Sequence, residues 1–245
     1  MKNFIITGSS SGIGNAVASQ LNNPDFHLYL LGRDIEQANK LKLKLDSHIT
    51  FVECDLKNIG NIQSSLSGLP SVIDGFVHCA GVTTTDPISK INYEKFDYLF
   101  KVNMFSFIEI LKWIVKEKKL NSEVWTSVVA VSSIASVKGG IGQTLYAASK
   151  AALEATVLTL SKELIRKKIR INSVRPGLVD TPMTRKWMEA IGINDLDELN
   201  RLQLSGVANP SDIANVICFL LETKSQHIVG QNINVDGGGP VSQFF

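Results

Sequence analysis

Short runs rich in Val, Ile and Leu alternate with helical stretches from one end of this chain to the other. The predicted strands are Phe4–Thr7, His27–Leu31, Ile49–Glu53, Val72–Val77, Val124–Ser132, Arg170–Val174 and Asn232–Val235. Helical character is expected at about Ile13–Leu21, Asp34–Leu45, Ile59–Leu66, Tyr93–Lys118, Leu145–Lys167 and Asp212–Leu221, with a break near Asn103. Strands that are apolar on both faces, each followed by a helix, build βαβ units around a covered parallel sheet. The crossovers should be right-handed. The expectation is one α/β domain spanning residues 1–245, a doubly wound parallel sheet of about seven strands with helices on both faces. That length suits a single domain of this kind. One irregular insertion interrupts the alternation at about residues 182–209. It carries Met183, Trp187, Met188, Ile191, Leu196, Leu199 and Leu202, with Gly192 and Gly206 as breaks, a pattern that fits a helical lid over a substrate.

Composition excludes several classes of partner. The formal charge is +2, too small for the basic stripe that nucleic acid requires or for a polybasic membrane anchor. No apolar run approaches the ~20 residues that span a bilayer. The N-terminal Met1–Gly8 turns polar too soon for a signal peptide and reads as a strand. Cys54, Cys79 and Cys218 are odd in number and lack CxxC spacing, so neither disulfides nor a zinc site is expected, and no metal is invoked. They suit a reducing compartment, the cytoplasm.

Thr7-Gly8-Ser9-Ser10-Ser11-Gly12-Ile13-Gly14 lies between the first strand and the first helix. Gly8 can take a positive φ for a tight turn. Gly12 offers no Cβ against a phosphate, and Gly14 lets the helix lie close to the sheet. The backbone of Ser10, Ser11, Gly12, Ile13 and Gly14 then presents a helix N-terminus to a pyrophosphate. This is a wide-spaced variant of the dinucleotide fingerprint. It is not a P-loop, because no Gly-Lys-Ser/Thr follows. At the end of the second strand an NAD site places an acidic residue for the ribose 2′-OH. Here the sequence is Leu30-Leu31-Gly32-Arg33-Asp34, with glycine at that place and an arginine after it. A guanidinium pairs with a 2′-phosphate in fork geometry, which favours NADP(H). Asp34 keeps NAD(H) open, or serves as the N-cap of the next helix.

Tyr146 and Lys150 are four apart at the start of a predicted helix and share a face. A neighbouring cation stabilises phenolate and brings a tyrosine toward acid–base use. Ser133, or its neighbour Ser132, stands at the C-terminal end of the fifth strand, where open parallel sheets bind ligands. Asn103 interrupts an apolar helical run, where a local break could hold a water.

Together these residues resemble the short-chain dehydrogenase/reductase family, over essentially the whole chain. The TGxxxGxG turn, Asp55, Ala80-Gly81, Asn103, Ser133, Tyr146, Lys150, Pro176-Gly177 and Thr181 fall in family order. The resemblance implies a Rossmann-type fold and an oxidoreductase that moves a hydride between nicotinamide and a ketone or secondary alcohol. Tyr146 would then be the general acid or base. Lys150 would bind ribose hydroxyls and lower the tyrosine pKa, Ser133 would orient the carbonyl, and Asn103 would hold a relay water. Asp55, with Leu56 beside it, would face adenine. Backbone from Pro176 through Gly177 and Val179 to Thr181 would lie near nicotinamide. The family's Asn-Asn-Ala-Gly is here His78-Cys79-Ala80-Gly81, and His78 reads as a structural strand-end histidine rather than a base. Helices near Asn103–Lys118 and Leu145–Lys167 form dimer faces in the family. Ala148, Ala151, Ala152 and Ala155 supply a small-residue surface, so a homodimer or homotetramer is expected, with the tail Val241–Phe245 packed on a neighbour. Two rival functions stay open. One is a 3-oxoacyl-carrier-protein reductase, in which Arg166-Lys167-Lys168 meets an acidic carrier protein rather than only complementing a helix C-terminus. The other is a regulatory protein that binds NADP(H) without turnover.

Overall fold

The computed structural model describes residues 1–33, 36, 48–117, 124–193, 195–200 and 203–239. The helix expected at about 34–45, with Asp34, and the C-terminal segment 241–245 lie outside the described residues.

The strands are β1 (Lys2–Thr7), β2 (Phe26–Gly32), β3 (His48–Glu53), β4 (Gly75–His78), β5 (Thr126–Val131), β6 (Ile169–Pro176) and β7 (Asn232–Val235). They form one sheet in the order β3-β2-β1-β4-β5-β6-β7, parallel at every pairing. The order reverses between β1 and β4, which opens a crevice at the strands' C-terminal ends. Thr7 stands opposite Leu31 on one side and His78 on the other, so those ends are level.

Side chains alternate between two buried faces. Ile5, Leu31, Phe76, Val128 and Ile171 point to one face, against α4 (Ser106–Glu117) and α6 (Thr144–Leu164). Phe4, Ile6, Leu30, Val77, Val129 and Val174 point to the other, against α1 (Gly12–Gln20) and α9 (Pro210–Leu221). Burial on both faces is why the central strands β1, β2, β4 and β5 are rich in consecutive apolar residues. Among the described residues the remaining α-helices are α2 (Ile62–Ser65), α3 (Tyr93–Phe100), α5 (Ala135–Lys138), α7 (Pro182–Ile191) and α8 (Leu196–Asn200).

Two differences from expectation have local causes. β4 begins at Gly75, not Val72. Asp74 accepts from the Asn3 backbone N–H through its carboxylate at 2.8 Å, so regular pairing starts only after it. The long helix from Tyr93 is interrupted at Lys101–Phe105 by a π-helical turn. There the Asn103 amide leaves the helix: Oδ1 accepts from Val82 N at 2.8 Å, and Nδ2 donates to Val82 O at 2.9 Å.

Candidate active site

The crevice is a cavity of about 440 Å³ whose floor is the turn from β1 to α1. Gly8 has φ +69°, and a Cβ there would come within 2.7 Å of Ala80 N. A Cβ on Gly14 would collide with the Gly8 carbonyl oxygen, and one on Gly12 would sit 3.1 Å from Thr181 Cγ2. Ser11 is the N-cap of α1 and makes no side-chain cap bond, which leaves the first N–H groups of the helix open to the crevice. A cradle that rejects side chains, closed by free helical N–H groups, fits a pyrophosphate.

The end of β4 is tied to this turn. Ala80 N donates to Thr7 Oγ1 at 3.1 Å, and the same oxygen lies 3.0 Å from His78 Nδ1. His78 is fully buried; burial first, then the charge of Lys150, lowers its pKa to about 3. It is neutral at working pH, which agrees with a structural role. Cys79, also on the crevice wall, has its thiol pushed up to about 12 by burial.

Ser133, Tyr146 and Lys150 line the same crevice as the glycine turn. The Lys150 ammonium donates to Val131 O at 2.8 Å and stands 5.9 Å from the Tyr146 ring centre. A Cβ on Gly81 would lie 3.2 Å from Lys150 Nζ and 3.6 Å from Asn103 Oδ1, so the three residues converge. Burial pushes Lys150 down to about 8, opposed by Cys79 and Glu154. Tyr146 differs from expectation. Burial raises its pKa, and the hydrogen bond with Ser133 opposes that rise only in part. In the chain itself the phenol stays protonated, because burial penalises the phenolate more than the Ser133 hydroxyl stabilises it. Asn103 is held in place: its two Nδ2 hydrogens go to Val82 O and to Ser149 Oγ at 2.9 Å, and Oδ1 accepts from Val82 N, which leaves that oxygen one lone pair open.

Between the two serines the structure discriminates. Ser132 is buried and its hydroxyl donates to Glu154 at 2.5 Å. Ser133 Oγ accepts from Ala135 N at 3.1 Å, which leaves its own proton to donate. Ser133 and Tyr146 also line an adjoining cavity of about 80 Å³, with Gln143, Met183 and Trp187.

On the outer walls, Arg33 is exposed, lines the crevice and makes no ion pair among the described residues. Asp55 and Leu56 line it beside Phe51. Asp55 is partly committed to its own turn, accepting from Lys57 N at 3.2 Å. Pro176, Gly177, Val179 and Thr181 form the far wall. Thr181 caps α7 by accepting from Thr184 N, with Pro182 next to it.

Sequence reasoning missed the residues that brace these walls. Thr7 was read only as the start of the turn. Gln203 is buried; its Oε1 accepts from Leu178 N at 2.7 Å and occupies the space a Cβ on Gly177 would need. Gln143 Oε1 is buried without a partner. No spacing rule points to these long-range contacts.

A family model described as enoyl-(acyl carrier protein) reductase matches residues 8–239. The chain belongs to the short-chain dehydrogenase/reductase family. Among its relatives in that family, the 3-oxoacyl-(acyl-carrier-protein) reductase of Thermotoga maritima is 32% identical over 243 residues, covering 96% of each chain. The protein of the same name from Rickettsia felis is 30% identical over 241 residues, 97% of this chain and 96% of that one. The L-sorbose reductase of Gluconobacter frateurii, solved with NADPH and L-sorbose, has the same fold. Its TM-score is 0.88 at 25% identity, covering 97% of this chain and 96% of that one.

Proposed function

We propose that this chain is an NADP(H)-dependent oxidoreductase acting between a ketone and a secondary alcohol. The observation that carries the reading is a single crevice lined by the glycine turn, Ser133, Tyr146 and Lys150. The turn from Gly8 to Gly14 would hold the pyrophosphate. Asp55, Leu56, Ala80, Gly81 and the backbone from Pro176 to Thr181 would flank the rest of the dinucleotide. Nicotinamide, when bound, supplies or accepts the hydride. Ser133 Oγ donates to the substrate oxygen and fixes its position. Tyr146 gives its proton to the same oxygen, and a phenol kept protonated by burial suits the reducing direction. Lys150 binds ribose hydroxyls with the donors not engaged by Val131. Two hydroxyls aimed at one oxygen stabilise the charge that develops there. Asn103 acts through its clamp on Val82, which holds the segment after β4 against Lys150.

NADP(H) is preferred to NAD(H) because Gly32 provides no carboxylate and Arg33 offers an unengaged guanidinium to a 2′-phosphate. The sorbose reductase solved with NADPH supports the same choice. Residues 182–209, of which residues 194, 201 and Leu202 lie outside the described residues, serve as the lid, since Met183 and Trp187 reach the smaller cavity beside Ser133. The free cysteines fit a cytoplasmic protein. Among the described residues, no helix is long and apolar enough to cross a membrane.

NADPH oxidation over a panel of keto sugars, small ketones and 3-oxoacyl thioesters tests this reading. Tyr146→Phe should lose at least about a hundredfold in kcat while NADPH still binds. Trp187→Ala should raise KM for the ketone and leave that for NADPH nearly unchanged. Tight NADPH binding without turnover of any carbonyl would instead indicate a regulatory protein.

The second reading, a 3-oxoacyl-carrier-protein reductase, is favoured by the two bacterial relatives. Arg166 and Lys167 are exposed, but they precede β6 at the sheet's N-terminal edge, away from the crevice. Turnover of thioesters far above keto sugars would select this reading.

A further inference from the structure

Tyr146, Lys150 and Glu154 follow one another at four-residue intervals along α6 and lie on one face of it. The first two line the crevice; Glu154 lies behind it, 6% exposed. Its Oε1 accepts from Ser132 Oγ at 2.5 Å, Ser136 Oγ at 2.6 Å and Arg175 Nε at 2.8 Å. Its Oε2 accepts from Arg175 Nη2 at 2.6 Å. Ser136 has one proton, shared between Glu154 and the Ser133 carbonyl at 2.7 Å. One carboxylate thus gathers β6, through Arg175, and both sides of Ser133 onto the helix that carries Tyr146.

We propose that Glu154 is a positioning residue: it fixes Ser133 relative to Tyr146 and is the counter-charge of Lys150. This rests on the reading that Ser133, Tyr146 and Lys150 perform the chemistry. Burial alone would raise the Glu154 carboxyl, but hydrogen bonds from Arg175, Ser132 and Ser136 hold it below the usual range. It is therefore ionised at neutral pH. Arg175 beyond Glu154 is positively charged, and the other titratable groups around Lys150 are uncharged there. Tyr146 is raised, His78 is neutral above about 3, and Cys79 stays a thiol below about 12. Cys79 therefore contributes no negative charge while Lys150 titrates near 8, and Glu154 does.

Two variants test this. Glu154→Gln keeps the shape and removes the charge. The pair Glu154→Met with Arg175→Met removes both ions, a change that buried ion pairs often tolerate without loss of stability. With ε-13C-lysine, NMR follows Lys150, assigned through Lys150→Arg, across a pH titration. In Glu154→Gln the Lys150 midpoint should fall by about half a pH unit or more. The alkaline limb of kcat/KM should move with it. Both variants should lose about tenfold or more in kcat with NADPH KM within about twofold of wild type. An unchanged Lys150 midpoint in folded Glu154→Gln overturns the proposal, whether or not the wild type turns over. Full kcat in the folded paired variant overturns it too. Absence of turnover in the wild type instead counts against the proposed function.

Discussion

His78 occupies a site where a proton is unwelcome. Nδ1 faces Thr7, Nε2 is buried without a well-formed hydrogen bond among the described residues, and burial and the Lys150 charge outweigh the nearby backbone carbonyls of Val102 and Asn103 that would favour a proton. The folded chain protonates it only near pH 3, whereas the unfolded chain does so near the ordinary value of 6.5. Between those values the unfolded state holds the extra proton, so stability falls as pH falls. The slope from this one residue is about 1.4 kcal/mol per pH unit. Urea unfolding at pH 7 and pH 5 should therefore show a smaller acid loss in His78→Asn than in the wild type. Equal losses in the two proteins would refute a neutral buried imidazole. Lys150 is shifted the same way: burial lowers its pKa to about 8, so the reaction should weaken as pH rises past that value.

At the scale of elements, α6 carries two faces with different fates. One holds Tyr146, Lys150 and Glu154. The other leaves Ala148, Ala151 and Ala155 exposed beside Leu158, and Phe105 on the preceding π turn is exposed as well. Small side chains let another helix approach closely, and we infer that this face pairs with a second copy in a homodimer or homotetramer. Ala151→Arg should convert the assembly to monomers by sedimentation; a wild type already monomeric at micromolar concentration would end the idea. The active face was largely legible in the sequence, because Tyr-x-x-x-Lys spacing is local and the helix period alone sets it. β1 and its glycine turn were legible for a similar reason, an apolar run closed by glycine, and β7 as a short alternating stretch ahead of Asp236-Gly237. The π turn was legible only as a break at Asn103, since the Val82 contact that opens it comes from another part of the fold. α5 was not legible at all. Four residues are too few to show a period, and it is tied in by Ser136 to Glu154. The start of β4 depended on Asn3 and Asp74, which are distant in sequence. The rise in the tyrosine pKa was not legible, because spacing does not say how deeply a phenol will be buried, and burial is what opposes its ionisation.

For the molecule as a whole, cofactor preference should be measurable as stability. A ligand that binds only the folded state adds about 2.7 kcal/mol at a hundred times its Kd. NADPH should raise the melting temperature more than NADH at equal concentration, and Arg33→Ala should abolish the difference. A larger shift with NADH would overturn the NADP(H) assignment.

The strand order has a consequence for how such a chain assembles. β1 is flanked by β2, its successor in sequence, and by β4, which enters about seventy residues later. Until residues 75–78 arrive, the first βαβ wing presents a bare hydrogen-bonding edge, the kind of surface that invites foreign strands. The meeting of Gly8 with Ala80 waits on the same event. Nucleotide affinity should thus be acquired only when the wings join, a long-range step that costs loop entropy before it gains contacts. A half-made chain holds every glycine of the motif and still has no grip.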